Sequence, residues 1–126
     1  MTIKEVSTKY ELTPDTLRYY EKIGLISDVP RTKSGIRNYG LKEEKRIEFI
    51  KCMRSSGVEI EVLCEYLKYL EEGVVTVSKR KALLEEQRLR LLEKEQRIIK
   101  TIEKLDYKIS LYQEIEEGKR KDFSEE

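Results

Sequence analysis

Histidine is absent from this chain of 126 residues, and cysteine occurs only twice. Each scarcity removes a class of chemistry. Without an imidazole, a cysteine nucleophile lacks its usual base, so the chain is not expected to be an enzyme. Zinc and soft-metal sites lose their commonest ligand, and with no Cys-x-x-Cys run an iron–sulfur centre has nothing to hold it. Neither metal nor cofactor is therefore expected. Two cysteines do not make a disulfide framework, and both thiols are expected to be reduced. No apolar run is long enough for a bilayer and Met1-Thr-Ile-Lys4 has no signal-peptide pattern, so the expected location is the cytoplasm, with no membrane partner.

Charge, by contrast, is abundant. Forty per cent of the residues are charged, yet the net charge is only +1, a balance suited to one domain plus a long exposed helix. The distribution says more than the total: residues 1–54 hold 12 Lys+Arg against 8 Asp+Glu (+4), and residues 55–126 hold 14 against 17 (−3). Positive potential is thus concentrated in the N-terminal part, where a polyanion would be met.

Two short helices are predicted there. Thr2-Ile-Lys-Glu5 has the order of a capping box, and Ile3, Val6 and Tyr10 share one side, so a helix runs to about Tyr10. A second begins at Thr13 or Pro14, because Thr13 is a good N-cap, Pro14 suits the first helical position and Asp15 favours the positive end of the dipole. Leu17 and Tyr20 mark its inner side, while Asp15, Arg18, Tyr19 and Lys22 follow i, i+3, i+4, i+7 on the outer one. Two helices separated by Glu11 and Leu12 read as a helix-turn-helix whose second helix enters a major groove. Arg18 suits guanine, since its fork can bond O6 and N7 together, and Tyr19 suits a phosphate or sugar edge. The bland alternative is an ordinary solvated amphipathic helix.

Ser34-Gly35 between Arg31 and Tyr39 predicts a turned basic hairpin, or wing. Alternation along a strand gives Arg37 and Tyr39 one face, toward the DNA backbone, and leaves Ile36 to anchor the wing from the other. A solvated basic loop is the competing reading. A third helix is expected over about residues 42–56, with Ile47, Phe49, Ile50 and Met53 on its apolar arc. Lys45, Arg46, Lys51 and Arg54 decorate it, as phosphate contacts or as plain surface charge. A fourth, about Glu59 to Glu72, carries Ile60, Leu63, Cys64, Leu67 and Leu70 and stops at Gly73.

Thereafter Val77, Leu84, Leu91, Ile98, Leu105 and Tyr112 recur every seven residues, widened by Leu92, Ile99, Ile102 and Ile109. A helix from about Thr76 to Glu117 would be roughly 60 Å long, and nothing in its own chain is long enough to cover that stripe. A two-fold dimer is the economical solution, with two helix-turn-helix units addressing a palindromic operator. Polar Lys81, Arg88 and Glu95 at companion positions keep it from being a uniform zipper. Spacing alone leaves parallel and antiparallel pairing open. The fold class expected is therefore mainly α: a winged helix-turn-helix DNA-binding domain over residues 1–73, including a helical linker pair, then a coiled-coil dimerisation helix over 74–118 and a flexible tail over 119–126.

Leu12 to Ile26, the Arg31-x-x-x-Gly35-Ile-Arg37-x-Tyr39 wing, the following helix pair and the long helix together resemble the MerR family of transcriptional regulators, across about the whole chain. The resemblance implies an antiparallel coiled-coil homodimer bound inside an overlong promoter spacer, which it bends and untwists so that RNA polymerase engages both promoter elements. By position, Arg18, Tyr19, Arg37 and Tyr39 fall on the family's DNA-contact motif, with Thr13, Lys22 and Arg54 added from their placement. Metal-sensing members carry a cysteine at the start of the long helix and two in a C-terminal loop. Here Val74 to Ser78 and the segment after Lys108 contain none. The chain ends soon after the dimer helix, which argues against the multidrug branch.

Cys64 lies inside the apolar stripe of the fourth helix, so a structural role is favoured. Cys52 sits at the edge of its arc beside Lys51 and Arg54, which favour a thiolate, although a small residue filling a helix boundary would look the same. Ile47-Glu-Phe-Ile-Lys-Cys-Met-Arg54 resembles the thiol-sensing branch of the family, which answers aldehydes and related electrophiles through one cysteine in this helix. That likeness implies Cys52 as sensor, with Cys64 as a possible second thiol. Two rivals remain: a non-covalent ligand lined by Tyr66, Tyr69 and Tyr107, and a coiled-coil adaptor that binds no DNA and leaves Arg18, Tyr19, Arg37 and Tyr39 without a purpose.

Overall fold

The computed structural model describes residues 1–122. Its elements are α1 (Ile3–Tyr10), α2 (Pro14–Lys22), α3 (Leu41–Ser55), α4 (Ile60–Glu72), a 3₁₀ turn (Val74–Thr76) and α5 (Val77–Glu116). No β-strand occurs among the described residues. The wing is a ribbon closed by one antiparallel bridge, Arg31 to Arg37.

Local chemistry sets the helix ends. Thr2 and Glu5 form the reciprocal capping box, Glu5 N–H to Thr2 Oγ1 at 3.1 Å and Thr2 N–H to Glu5 Oε1 at 3.0 Å. Glu11 takes the left-handed conformation (φ 54°) that turns α1 toward α2, and the Leu12 N–H returns to the Ser7 carbonyl at 3.1 Å. Gly73 ends α4, after which the Thr76 hydroxyl, itself buried, lies 2.7 Å from the Gly73 carbonyl and receives the Arg80 Nε–H at 3.1 Å. At the far end of α5, Gly118 (φ 77°) donates to the Ile115 carbonyl and Lys119 to Glu114, a Schellman closure. The first residue of the expected tail is thus tied to the helix. Residues 123–126 of that tail lie outside the described residues.

The chain divides into two units, Met1–Glu85 and Glu86–Glu126. The first holds one core: Val6 of α1, Leu17 and Tyr20 of α2, Leu25, Ile26 and Val29 after it, Tyr39, Ile47 and Ile50 of α3, Val58, and Leu63 and Leu67 of α4. Each such aliphatic side chain stabilises the fold by about 1.5–3 kcal/mol relative to exposure. Lys9 Nζ and the Tyr10 hydroxyl both reach Glu44 Oε1, at 2.8 and 3.1 Å, and pin α1 to α3. The second unit continues α5, and α5 has no buried residue anywhere along its 40. Among the described residues no helix is long and apolar enough to cross a membrane.

Two expectations for the wing are corrected. Ile36 is 58% exposed and anchors nothing. Tyr39 is 2% exposed and belongs to the core instead of sharing an outer face with Arg37. The reason lies in the N-terminus: the Met1 ammonium bonds Asn38 Oδ1 (3.2 Å) and the Tyr39 carbonyl (2.7 Å), while the Tyr39 N–H donates to the Met1 carbonyl at 2.7 Å. These contacts end the ribbon before Tyr39 and hold it at the threshold of α3, where strand alternation no longer governs its direction.

Candidate nucleic-acid interface

On α2, Thr13 Oγ1 accepts the Thr16 N–H at 3.1 Å and Pro14 takes the first turn, so the helix begins at a satisfied end. Burial of Leu17 and Tyr20 fixes its rotation and leaves Arg18, Tyr19 and Lys22 facing out. Tyr19, at 51% exposure, stays in solvent with its ring 6.4 Å from that of Tyr20. Arg18 bonds Asp15 at 3.0 Å, an exposed i,i+3 pair of the weak kind that a phosphate or base edge displaces at little cost.

Beside this helix stands the wing. Its ladder runs Asn38 N–H to Pro30 O (2.7 Å) and Thr32 N–H to Ile36 O (2.8 Å), and the Gly35 N–H closes the turn on Thr32 O at 2.9 Å. Gly35 holds φ at 85°, a conformation that side chains disfavour. Arg31 crosses the tip to the Gly35 carbonyl at 2.9 Å. Arg37 turns back toward α2, donating from Nε to Glu21 Oε1 at 2.9 Å, while Arg31 lies 3.5 Å from Glu21 Oε2. One carboxylate therefore joins the wing to the last turn of α2. Burial raises the pKa of the Tyr39 phenol, with Arg37 opposing and Glu21 adding to the rise. Among the described residues its hydroxyl has no hydrogen-bond partner.

The basic residues of α3 divide differently. Arg54 donates to the Val58 carbonyl at 2.9 Å and so closes the helix end. Arg46 pairs with Glu71 and Lys51 with Glu11, both at 3.7 Å. Arg18, Tyr19 and Lys22 share the exposed side of α2, Thr13 caps its start, and Arg37 meets its last turn through Glu21, whereas Tyr39 lies in the core. Glu21 was not singled out in the sequence. Its signal was there, as the one acid among Arg18-Tyr-Tyr-Glu-Lys22, but its target lies sixteen residues away and only folding reveals it.

The two thiols are in contrasting places. Cys52 is exposed, its carbonyl receiving the Ser55 hydroxyl at 2.7 Å. Cys64 is half-buried against the core, and burial, then the charge of Glu61, pushes its pKa up. Tyr66 stacks on Phe49 (5.4 Å between centroids) and Tyr69 donates to Glu65 at 3.2 Å. Both belong to the first unit and Tyr107 to the second. Among the described residues no cluster of three or more His, Cys, Asp or Glu is placed to hold a metal ion. On α5, Val77, Leu84, Ile98, Leu105 and Tyr112 are exposed and Leu91 half-buried.

Known proteins bear on this geometry. Residues 1–70 match the model of the MerR HTH family of regulatory proteins. The HTH-type transcriptional regulator AdhR of Bacillus subtilis is 50% identical over 93 residues, 74% of this chain but 66% of that protein, just under two thirds of its length. ZntR, an HTH-type transcriptional regulator of Escherichia coli K12, is 35% identical over 76% of the chain and 67% of its own. A MerR family transcriptional regulator from Listeria monocytogenes superposes with a TM-score of 0.86 at 39% identity, over 90% of this chain and 86% of that one. HiNmlR, a MerR family regulator lacking the sensor domain and crystallised bound to promoter DNA, shares the fold at a TM-score of 0.82 and 23% identity, over 91% of each chain.

Proposed function

The chain belongs to the MerR family of HTH regulatory proteins, and from that premise we propose that it is a homodimeric, sequence-specific transcriptional regulator of a palindromic promoter. One observation carries the reading: an outward face of Arg18, Tyr19 and Lys22 on α2 stands beside a wing carrying Arg31, Lys33 and Arg37, in the half of the chain with the surplus of positive charge. Arg18 reads a base edge, Thr13, Tyr19 and Lys22 flank it at the backbone, and the wing grips phosphate in the neighbouring groove. Arg54 gives one N–H to the Val58 carbonyl and keeps its other donors for a phosphate.

The dimer follows from α5. Val77, Leu84, Leu91, Ile98, Leu105 and Tyr112 form a stripe that the described residues leave exposed or half-exposed, and an antiparallel second copy covers it with the same residues. Two heads on that scaffold distort an overlong spacer, and the distortion is what RNA polymerase responds to. The domain division follows the same logic, with residues 1–73 reading DNA and 74–118 pairing.

The switch we assign to Cys52. Exposure makes its sulfur reachable by an aldehyde or related electrophile, whereas Cys64 is withdrawn and its thiolate disfavoured. Modification at Cys52, on α3, shifts α3 and α4 and so re-aims α2 and the wing. Transcription from the cognate promoter, followed with and without an aldehyde, tests this. Cys52→Ser is expected to abolish induction while operator binding persists, and Cys64→Ser to leave induction within about twofold. Undiminished induction in the Cys52 variant removes the thiol mechanism, and an unbound operator removes the regulator.

A further inference from the structure

We propose that Glu21 is an internal counter-anion that occupies the slot a DNA phosphate takes between the wing arginines, and that it thereby holds down indiscriminate DNA binding. The inference rests on the DNA-binding reading above and names a specificity-determining residue within it.

Glu21 bridges Arg37 Nε at 2.9 Å and Arg31 at 3.5 Å, one guanidinium per carboxylate oxygen. Bidentate oxygens between two guanidinium groups are how proteins hold phosphate. The slot is built: the Glu21 and Arg37 side chains are only 23% and 24% exposed, so both charges are largely withdrawn from water before any ligand arrives. A second observation concerns Tyr39, two residues along the chain from Arg37. Tyr39, 2% exposed, carries a hydroxyl without a partner, and Arg37, Glu21, Arg18 and Arg31 all act on it electrostatically. A buried phenolic hydrogen without an acceptor is uncommon. The wing pair acts on it through space and not by contact.

The consequence is a competition. While Glu21 holds the wing arginines, Arg31 and Arg37 present a net charge of about one instead of two, and non-specific attraction, which depends on phosphates neutralised, is reduced accordingly. A phosphate oxygen delivered in register by base contacts from α2 takes over Arg37 and Arg31 from Glu21. Phosphates out of register must displace Glu21 without that help. Specificity then comes partly from a residue that touches no base.

The test uses the full chain and a random-sequence 30-base-pair duplex, with affinity measured by fluorescence anisotropy over a potassium chloride series. Glu21→Gln keeps the shape and the acceptor oxygen but removes the charge. It is expected to bind the random duplex about fivefold tighter at 0.1 M salt and to steepen the salt slope by about 0.9, one further phosphate. Glu48→Gln removes an equal charge from an exposed position on α3 and is expected to change little. Equal gains in both variants mean a general charge effect and overturn the proposal. Weaker binding by Glu21→Gln makes Glu21 a buttress for the arginines and also overturns it. If even the wild type leaves the duplex unbound at low salt, the DNA-binding reading falls and this inference with it. A measurement on the wild type guards against a misfolded variant: the Arg37 Nε–H resonance, assigned by Arg37→Lys, is expected to shift on adding duplex. A resonance unmoved at saturation shows that Glu21 keeps its arginine, and sinks the idea.

Discussion

The head and the rod of this molecule carry apolar side chains at similar frequency and use them in opposite ways. In residues 1–85 they converge on twelve buried side chains drawn from four helices and the segments between them. Along α5 they are spread in a stripe with nothing buried. Leu63 and Leu67 on α4 are closed off, while Leu84 and Ile98 on α5, in an equally regular pattern, face outward. Periodicity therefore states that a face must be covered, not by what. Chain length supplies the rest: a helix of 13 residues finds its cover in neighbours of similar length, and one of 40 does not.

The sharpest way to break this contrast is to charge the rod. Ile98→Glu combined with Leu105→Glu is expected to cost the dimer about 5 kcal/mol or more, since four apolar positions are lost across two chains. Sedimentation at micromolar concentration should then show a monomer with reduced helicity and a head that still unfolds cooperatively. A dimer that persists would mean the stripe is not the pairing surface.

A smaller effect is expected in the head. Leu17→Ala opens a cavity behind the exposed basic side of α2 and should destabilise the head by about 3 kcal/mol, seen as a lower urea midpoint with an unchanged slope. Dimerisation through α5 should survive it. Loss of both together would show that head and rod fold as one unit.

The mildest test concerns the thiols. Iodoacetamide at neutral pH is expected to label Cys52 well before Cys64, located by peptide mass spectrometry. Burial raises the Cys64 pKa, so its thiolate is scarce near neutrality and its labelling should climb as pH rises above the ordinary thiol range. Equal rates at neutral pH would contradict the difference in their surroundings.

Much of this was legible beforehand, for local reasons. Thr2 with Glu5, Thr13 with Pro14, and Gly73 act through hydrogen bonds and backbone torsions within a few residues, and their elements begin and end within a residue or two of expectation. The outward set Arg18, Tyr19 and Lys22 was readable because a helix repeats every 3.6 residues and Leu17 and Tyr20 declare its inside. The wing was harder. Its turn at Gly35 was visible, but Tyr39 was given the wrong face because alternation was carried past the point where Met1 captures the chain.

What the order of residues determined alone was everything that short-range chemistry decides: the helices, their caps, the family, and a stripe along α5 that demands a partner. Only the folded arrangement decided that Tyr39 is core, that Ile36 is not, and that Glu21 holds two arginines of the wing. Those outcomes depend on groups up to 38 residues apart meeting in space, and such encounters are settled by the packing of the whole head, which no local pattern encodes.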